Sequence, residues 1–168
     1  EFCVTTDEAI AALERIPVHM SYNVTVLDAS GKFVTAYLRP DQPALVRAVP
    51  YAANHQEAIE WEQHAAATST LQRERFLYAQ LRGGARDRDD FVASFLRPPL
   101  YSNAFARGYG TLYTAVYRPA ERTVDYRWPG EKWQFTFDRF DEGRRTIVWD
   151  APPVAVTAAS RAVEPGSR

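Results

Sequence analysis

Cysteine is almost absent from this sequence: among 168 residues only Cys3 carries a thiol. An internal disulfide is therefore excluded, and with no partner at zinc-site spacing Cys3 does not announce a structural metal either. Long apolar runs are missing too. None approaches the roughly 20 residues that cross a bilayer, and the first residues lack a basic region followed by an apolar stretch. The expectation is a soluble, cytoplasmic chain without a membrane partner. Charge of one sign is not in excess, since 20 Lys and Arg face 21 Asp and Glu. Arg73, Arg75 and Arg82 alternate with acids rather than forming a stripe, so no field draws a polyanion and nucleic acid is excluded as a partner.

The composition is that of a globular protein, with 46% hydrophobic residues in a chain long enough for one domain with a substantial core. Residues 1–150 are read as that domain. Beyond them "APPVAVTAASRAVEPGSR" is rich in Ala, Pro and Ser and poor in large apolar residues, so 151–168 is expected to be a loose tail.

Local patterns predict the elements. "TTDEAIAALER" opens on Thr5 with Glu8 three residues later, a reciprocal capping arrangement, and Ala9, Ile10, Leu13 and Ile16 follow at helical spacing up to Pro17. Two β-rich runs flank "DASG", which predicts a hairpin over about Ser21 to Leu38. "ALVRAVPYAANH" reads as a third strand. From Glu57 to about Arg82 the pattern is helical, closed by the two glycines of "RGGARDRDD". A short helix over Asp89 to Leu96 begins with acids that suit the positive end of a helix dipole. "GTLYTAVYRPAERTVDYRW" and "EKWQFTFDRF" complete the chain as a three-strand meander. Strands then helices then strands, with no internal repeat, point to an α+β domain of antiparallel sheets with outer helices.

Few residues carry chemistry. Asn54 and His55 follow a β-rich run: an amide N–H there can donate to an oxyanion, and imidazole titrates near neutrality. The plainer alternative makes Asn54 the cap of the next helix and His55 a satisfied boundary residue. Cys3 as nucleophile lacks a neighbouring base in sequence. A metal site from His55, Glu60 and His64 is disfavoured, because an exposed pair on one helix face explains Glu60 and His64 better. Arg73 is either a solvated helix arginine or a fixed, permanently charged donor. Trp128, Trp133 and Trp149, with Tyr113 and Tyr117, line either a core or an apolar pocket.

In order, "LERIPVHMSYNVTVLDASG", "YAANHQ", "STLQRERF" and "GTLYTAVYRPAERTVDYRWPG" resemble the acyl-coenzyme A:isopenicillin N (6-aminopenicillanic acid) acyltransferase family of N-terminal-nucleophile amidohydrolases, over most of residues 3 to 140. The resemblance implies a four-layer αββα sandwich and a precursor that cuts itself to expose a cysteine. That cysteine attacks an amide or thioester carbonyl, and water or an amine resolves the acyl-enzyme. Asn54 matches the Asn of the family's "TNH" motif, which serves the oxyanion, with Ala53 replacing the Thr. Arg73 matches the arginine of "S-x-x-R", with Thr70 at the Ser position. Beside these catalytic candidates, His55 and Tyr22 are candidates for substrate binding. "EFCVTTDEA" looks like an interior helix entry rather than the processed start, so Cys3 is not expected to be the nucleophile. The chain is then expected to be the C-terminal portion of a cysteine-dependent acyltransferase or linear-amide hydrolase, needing an upstream portion or partner chain that carries the nucleophile. A non-catalytic binding or assembly module of the same fold is the alternative. The expected substrate is a small amide or acyl-coenzyme A, with no cofactor and no metal, and a homo-oligomer remains open.

Overall fold

The computed structural model describes residues 3–59, 61–83 and 87–149. The elements run α1 Thr6–Leu13, β1 Tyr22–Leu27, β2 Phe33–Leu38, β3 Leu45–Arg47, α2 Glu62–Ala67, α3 Thr70–Arg82, α4 Arg88–Ser94, β4 Asn103–Ala104, β5 Tyr109–Gly110, β6 Thr114–Arg118, β7 Thr123–Trp128 and β8 Glu131–Thr136, with a 3-10 turn at Phe105–Arg107. Every strand pair is antiparallel, and the strands form sheets of order β1-β2-β3, β4-β5 and β6-β7-β8. Helices and antiparallel sheets together make the domain α+β. Among the described residues no helix is long and apolar enough to cross a membrane. The expected tail, 151–168, lies outside the described residues.

The first sheet grows from the hairpin read in the sequence. Asp28 accepts from the backbone N–H groups of Ser30 and Lys32, and Gly31 takes a φ of 87°, which a residue without Cβ adopts freely. The same turn anchors α1. The Thr6 N–H donates to Asp28 Oδ2 at 3.0 Å and its hydroxyl to the Lys32 carbonyl at 2.9 Å, while Thr5 and Glu8 close the capping box. Below the turn, the Thr25 hydroxyl donates to Thr35 Oγ1, which in turn donates to the Val49 carbonyl, so fully buried Thr35 joins the sheet to the chain leaving it.

Two expectations fail here, each for a physical reason. The third strand is only three residues long: past Arg47 the carbonyl at Val49 bonds a side chain instead of a ladder partner, and Pro50 brings no N–H. Asn54 and His55 therefore sit in a loop, not at a strand end. The long helix begins at Glu62 rather than Glu57 and breaks at Thr68–Ser69, where Ser69 adopts left-handed φ 51°, ψ 35°. Asn54 thus caps nothing, and Arg73 moves from the middle of a helix into the first turn of α3.

The second large sheet follows the sequence closely. Pro129 and Gly130, the latter at φ 82°, turn β7 into β8. One face carries Tyr126, Trp133 and buried Phe135, against which Phe140 stacks with ring centroids 4.5 Å apart. On the other face Asp125, 1% exposed, receives Arg118 at 3.1 Å and Arg127 at 2.9 Å on one carboxylate oxygen. The aromatic candidates divide: Trp128, Trp133 and Tyr126 with Phe135 and Phe140 line a cavity of about 290 Å³, whereas Tyr113, Tyr117 and Trp149 are exposed. Buried apolar residues are few and split between the two halves of the chain, at Ala36, Leu38, Ala65 and Leu77 on one side and Val92, Val124 and Phe135 on the other. Strands β1, β3, β6 and β8 are open edges among the described residues, and large apolar side chains such as Trp61, Leu27 and Phe137 are exposed.

Candidate active site

The loop carrying Asn54 is held from three directions. From β1, Asn23 Nδ2 donates to the carbonyls of Ala53 and His55, 2.7 Å each, which flank Asn54. From α3, the fully buried Thr70 accepts the Asn54 N–H on Oγ1 at 2.8 Å. One residue further on, buried Gln56 donates to the carbonyls of Leu38 and Tyr22 and accepts from Arg39, tying the loop to β1 and β2. Asparagine is disfavoured inside strands, so Asn23 within "YNVTV" was a signal the sequence offered.

The side chain of Asn54 is fixed by Arg73. The guanidinium has no acceptor, so the group that receives Nη2–H at 2.5 Å is the amide oxygen Oδ1. The amide nitrogen is thereby turned the other way, as a donor with no partner among the described residues. Nε of Arg73 meanwhile donates to the Thr68 carbonyl at 2.9 Å, the peptide freed by the helix break. Burial pushes the Arg73 guanidinium below its ordinary value, yet arginine keeps its charge in proteins. A cation on the oxygen end of an amide polarises it and strengthens its N–H as a donor.

His55 stands in a chain of hydrogen bonds behind this. Its Nδ1 lies 2.9 Å from Thr70 Oγ1 and its Nε2 3.1 Å from Glu74 Oε2. Because the carboxylate can only accept, Nε2 carries the hydrogen, and Nδ1 accepts the Thr70 hydroxyl proton. His55 and Thr70 then each donate once and accept once, the Asn54 N–H donates at one end and Glu74 accepts at the other, so the four form a single polarised row.

Asn54 borders two cavities. One of about 550 Å³ has an apolar wall of Met20, Ile59 and Trp61, with Tyr22, Asn23 and His55 at its edge. The other, about 790 Å³, lies between the start of α3 and residues 98–111. His64 lines both, with its ring stacked on Trp61 at 5.6 Å and edge-on to Tyr109 at 6.1 Å. The structure thus brings together all four candidates from the sequence: Asn54, Arg73 and His55 touch through one network, and Tyr22 shares the first cavity, its hydroxyl 3.2 Å from His19 Nε2. Sequence reasoning missed Asn23, Gln56, Glu74 and the bridging position of His64.

Cys3 lies elsewhere. It is exposed and three residues before Thr6, whose N–H is bonded to Asp28 at the turn end of the hairpin. Asn54 is held at the Tyr22–Asn23 end. Six residues of β1 at ~3.3 Å each separate the two ends by about 20 Å. Among the described residues no group of three or more His, Cys, Asp or Glu could hold a metal ion, and Glu60 of the disfavoured metal set lies outside them.

No curated protein and no solved structure matches the chain significantly. A family model does, that of acyl-coenzyme A:6-aminopenicillanic acid acyl-transferase, over residues 1–133, a span that contains Asn23, Asn54, Thr70 and Arg73 together. With that model covering well over half of its length, the chain belongs to the acyl-coenzyme A:6-aminopenicillanic acid acyltransferase family.

Proposed function

We propose that this chain supplies the carbonyl-activating part of a cysteine-dependent acyltransferase or linear-amide hydrolase. The observation that carries the reading is the Arg73–Asn54 bond, which takes up the amide oxygen and leaves Nδ2 as a polarised donor where two cavities meet. In the reaction a thiolate attacks the carbonyl carbon of an amide or thioester, and the π pair moves onto oxygen. Asn54 Nδ2–H donates to that oxyanion. Collapse expels the amine with a proton, or the thiol, and the acyl-enzyme is resolved by water or by an acceptor amine. Hydrolysis and transfer use the same site and differ in which of these two enters.

The nucleophile is taken to come from residues other than these, because Cys3, the sole cysteine, is held at the far end of the hairpin. Open strand edges and exposed apolar side chains support a further segment or chain packing here, completing the family's αββα sandwich. Intact masses and N-terminal sequences of the protein recovered from its source test this: a co-purifying chain or precursor carrying an N-terminal cysteine is expected. A second reading, a non-catalytic binding module, is favoured by that same remoteness of Cys3 and predicts a lone chain without amidase or transferase activity.

The catalytic assignment has its own test. In the assembled enzyme Asn54→Ala is expected to lower kcat by about 10²–10³ with little change in KM or in the unfolding midpoint. An unchanged kcat would remove Asn54 from the chemistry.

A further inference from the structure

Glu74 and His55 stand behind the oxyanion donor, and neither has a part in the chemistry described so far. Both ring nitrogens of His55 are committed, Nδ1 to Thr70 Oγ1 at 2.9 Å and Nε2 to Glu74 Oε2 at 3.1 Å, and its side chain is only 11% exposed. The ring has no nitrogen left to bond a substrate. Glu74 is as closely tied: among the described residues its carboxylate meets His55 and no Lys or Arg within 4 Å. Burial, and then the Glu74 charge, push the phenols of Tyr37 and Tyr51 upward, so both stay neutral beside it.

The tautomer of His55 decides what the Thr70 hydroxyl can do. With the hydrogen on Nε2, Nδ1 accepts the hydroxyl proton, and a lone pair of Oγ1 remains for the Asn54 N–H at 2.8 Å. With the hydrogen on Nδ1, that nitrogen would donate to Oγ1 instead. The proton of fully buried Thr70 would then lose its acceptor, and an Nε2 lone pair would face a carboxylate. Only the first form pairs every group in the row. We infer that Glu74 is a positioning residue for the reaction: it holds His55 in the Nε2–H tautomer, which aims the Thr70 proton at His55 and keeps Oγ1 free to receive the Asn54 N–H. The backbone of Asn54 is thereby fixed where its side chain meets Arg73. The inference rests on the oxyanion reading of Asn54, and neither Glu74 nor His55 touches the reacting carbonyl.

Nitrogen-15 NMR of the full chain at about pH 9, above the ordinary imidazole range, reads the tautomer without requiring turnover. His55 is expected as a single Nε2–H form. Glu74→Gln keeps the size of the side chain but can accept or donate, so it should give a mixture of tautomers and speed exchange of the Asn54 amide about tenfold. A Glu74 that serves stability alone would leave the tautomer unmoved. In the assembled enzyme Glu74→Gln should lower kcat about tenfold with KM unchanged. His55→Asn is the control: an amide oxygen in the place of Nδ1 accepts the Thr70 proton unaided, so in that background Glu74→Gln should have no further effect. An Nδ1–H form in the parent, a single Nε2–H form in Glu74→Gln, an unchanged kcat, or a Glu74→Gln loss that persists beside His55→Asn overturns the inference. Asn54→Ala keeps its backbone N–H and should not move the tautomer. Normal turnover in that variant removes the catalytic reading and the positioning role with it, whereas an unmoved tautomer in Glu74→Gln removes the role of Glu74 alone.

Discussion

The two three-stranded sheets bury polar groups for opposite purposes. In the β1-β2-β3 half, Asn23 and Thr70 spend hydrogen bonds on the irregular backbone of residues 53–55, which no ladder satisfies, and Gln56 ties the next residue to the strand carbonyls of Tyr22 and Leu38. In the β6-β7-β8 half, Asp125 is matched by two arginines of its own sheet, and the cluster extends through Arg118 to Glu121 in the turn that joins β6 to β7. Buried polarity in the first half therefore positions a donor, whereas in the second it fixes a sheet face. Each arrangement leaves one oxygen without a partner among the described residues, Asn23 Oδ1 in the first and Asp125 Oδ1 in the second, but only the first leaves a functional group in a defined place.

The sharpest way to break the contrast is Asp125→Ala. It strands two arginine side chains, 12% and 19% exposed, around the space of a carboxylate, and removing one partner of such a cluster costs about 3–5 kcal/mol. Urea unfolding is expected to show that loss, with the Asn54 network unaltered in any molecules that remain folded. A loss below about 1 kcal/mol would mean that solvent already relieves the cluster. The same residue predicts a pH effect. Burial raises the Asp125 carboxyl, but the hydrogen bonds and charges of Arg127 and Arg118 outweigh it, and the net value lies below the ordinary one. A depressed folded-state value means that the stabilisation is fully present above the unfolded-state value of about 3.9 and is lost as pH falls below it toward the folded-state value. Asp125→Asn should flatten that acid limb.

On the other side of the comparison, Thr70→Val keeps the volume and deletes the hydroxyl. The Asn54 N–H and His55 Nδ1 then lose their partner, for about 1–3 kcal/mol of stability. Unlike the Asp125 change, this one should also lower kcat of the assembled enzyme, because the donor loop loosens. Thr70→Ser should restore both quantities. A Thr70→Val enzyme that is destabilised yet turns over normally would reduce the network to a structural role.

How much of this was legible in the sequence follows from how local each cause is. The capping box at Thr5 and Glu8, the "DASG" hairpin and the meander through "PG" are written in neighbouring residues, and each forms as read. The break at Thr68–Ser69 is not, since no Gly or Pro marks it; it is held by Thr70 bonding residue 54 and Arg73 bonding residue 68. The short pairing of β4 with β5 around Phe105–Arg107 was likewise missed, two residues a side being too few for any periodicity. Asn54 and Arg73 could be picked out as polar residues in a suggestive order, but their contact depends on that unmarked break. A smaller test of local legibility is Thr5→Ala, expected to cost about 1 kcal/mol through the lost cap, with no effect on the Asn54 loop at the other end of the hairpin.

The smallest expected effect addresses the break itself. Ser69 holds a left-handed conformation, which costs a residue with a Cβ roughly 1 kcal/mol and glycine almost nothing. Ser69→Gly should remove that strain while adding freedom to the unfolded chain, so a net gain of about 0.5 kcal/mol is expected. If the break is imposed by the bonds of Thr70 and Arg73, Ser69→Gly leaves kcat unchanged and raises the urea midpoint slightly. If it is instead the preferred shape of "ATST", Ser69→Ala should not straighten α2 into α3, and its amide exchange there should match the parent protein. The first outcome makes the turn a consequence of the site; in it, the strain at Ser69 is what the chain tolerates to bring Arg73 within reach of Asn54.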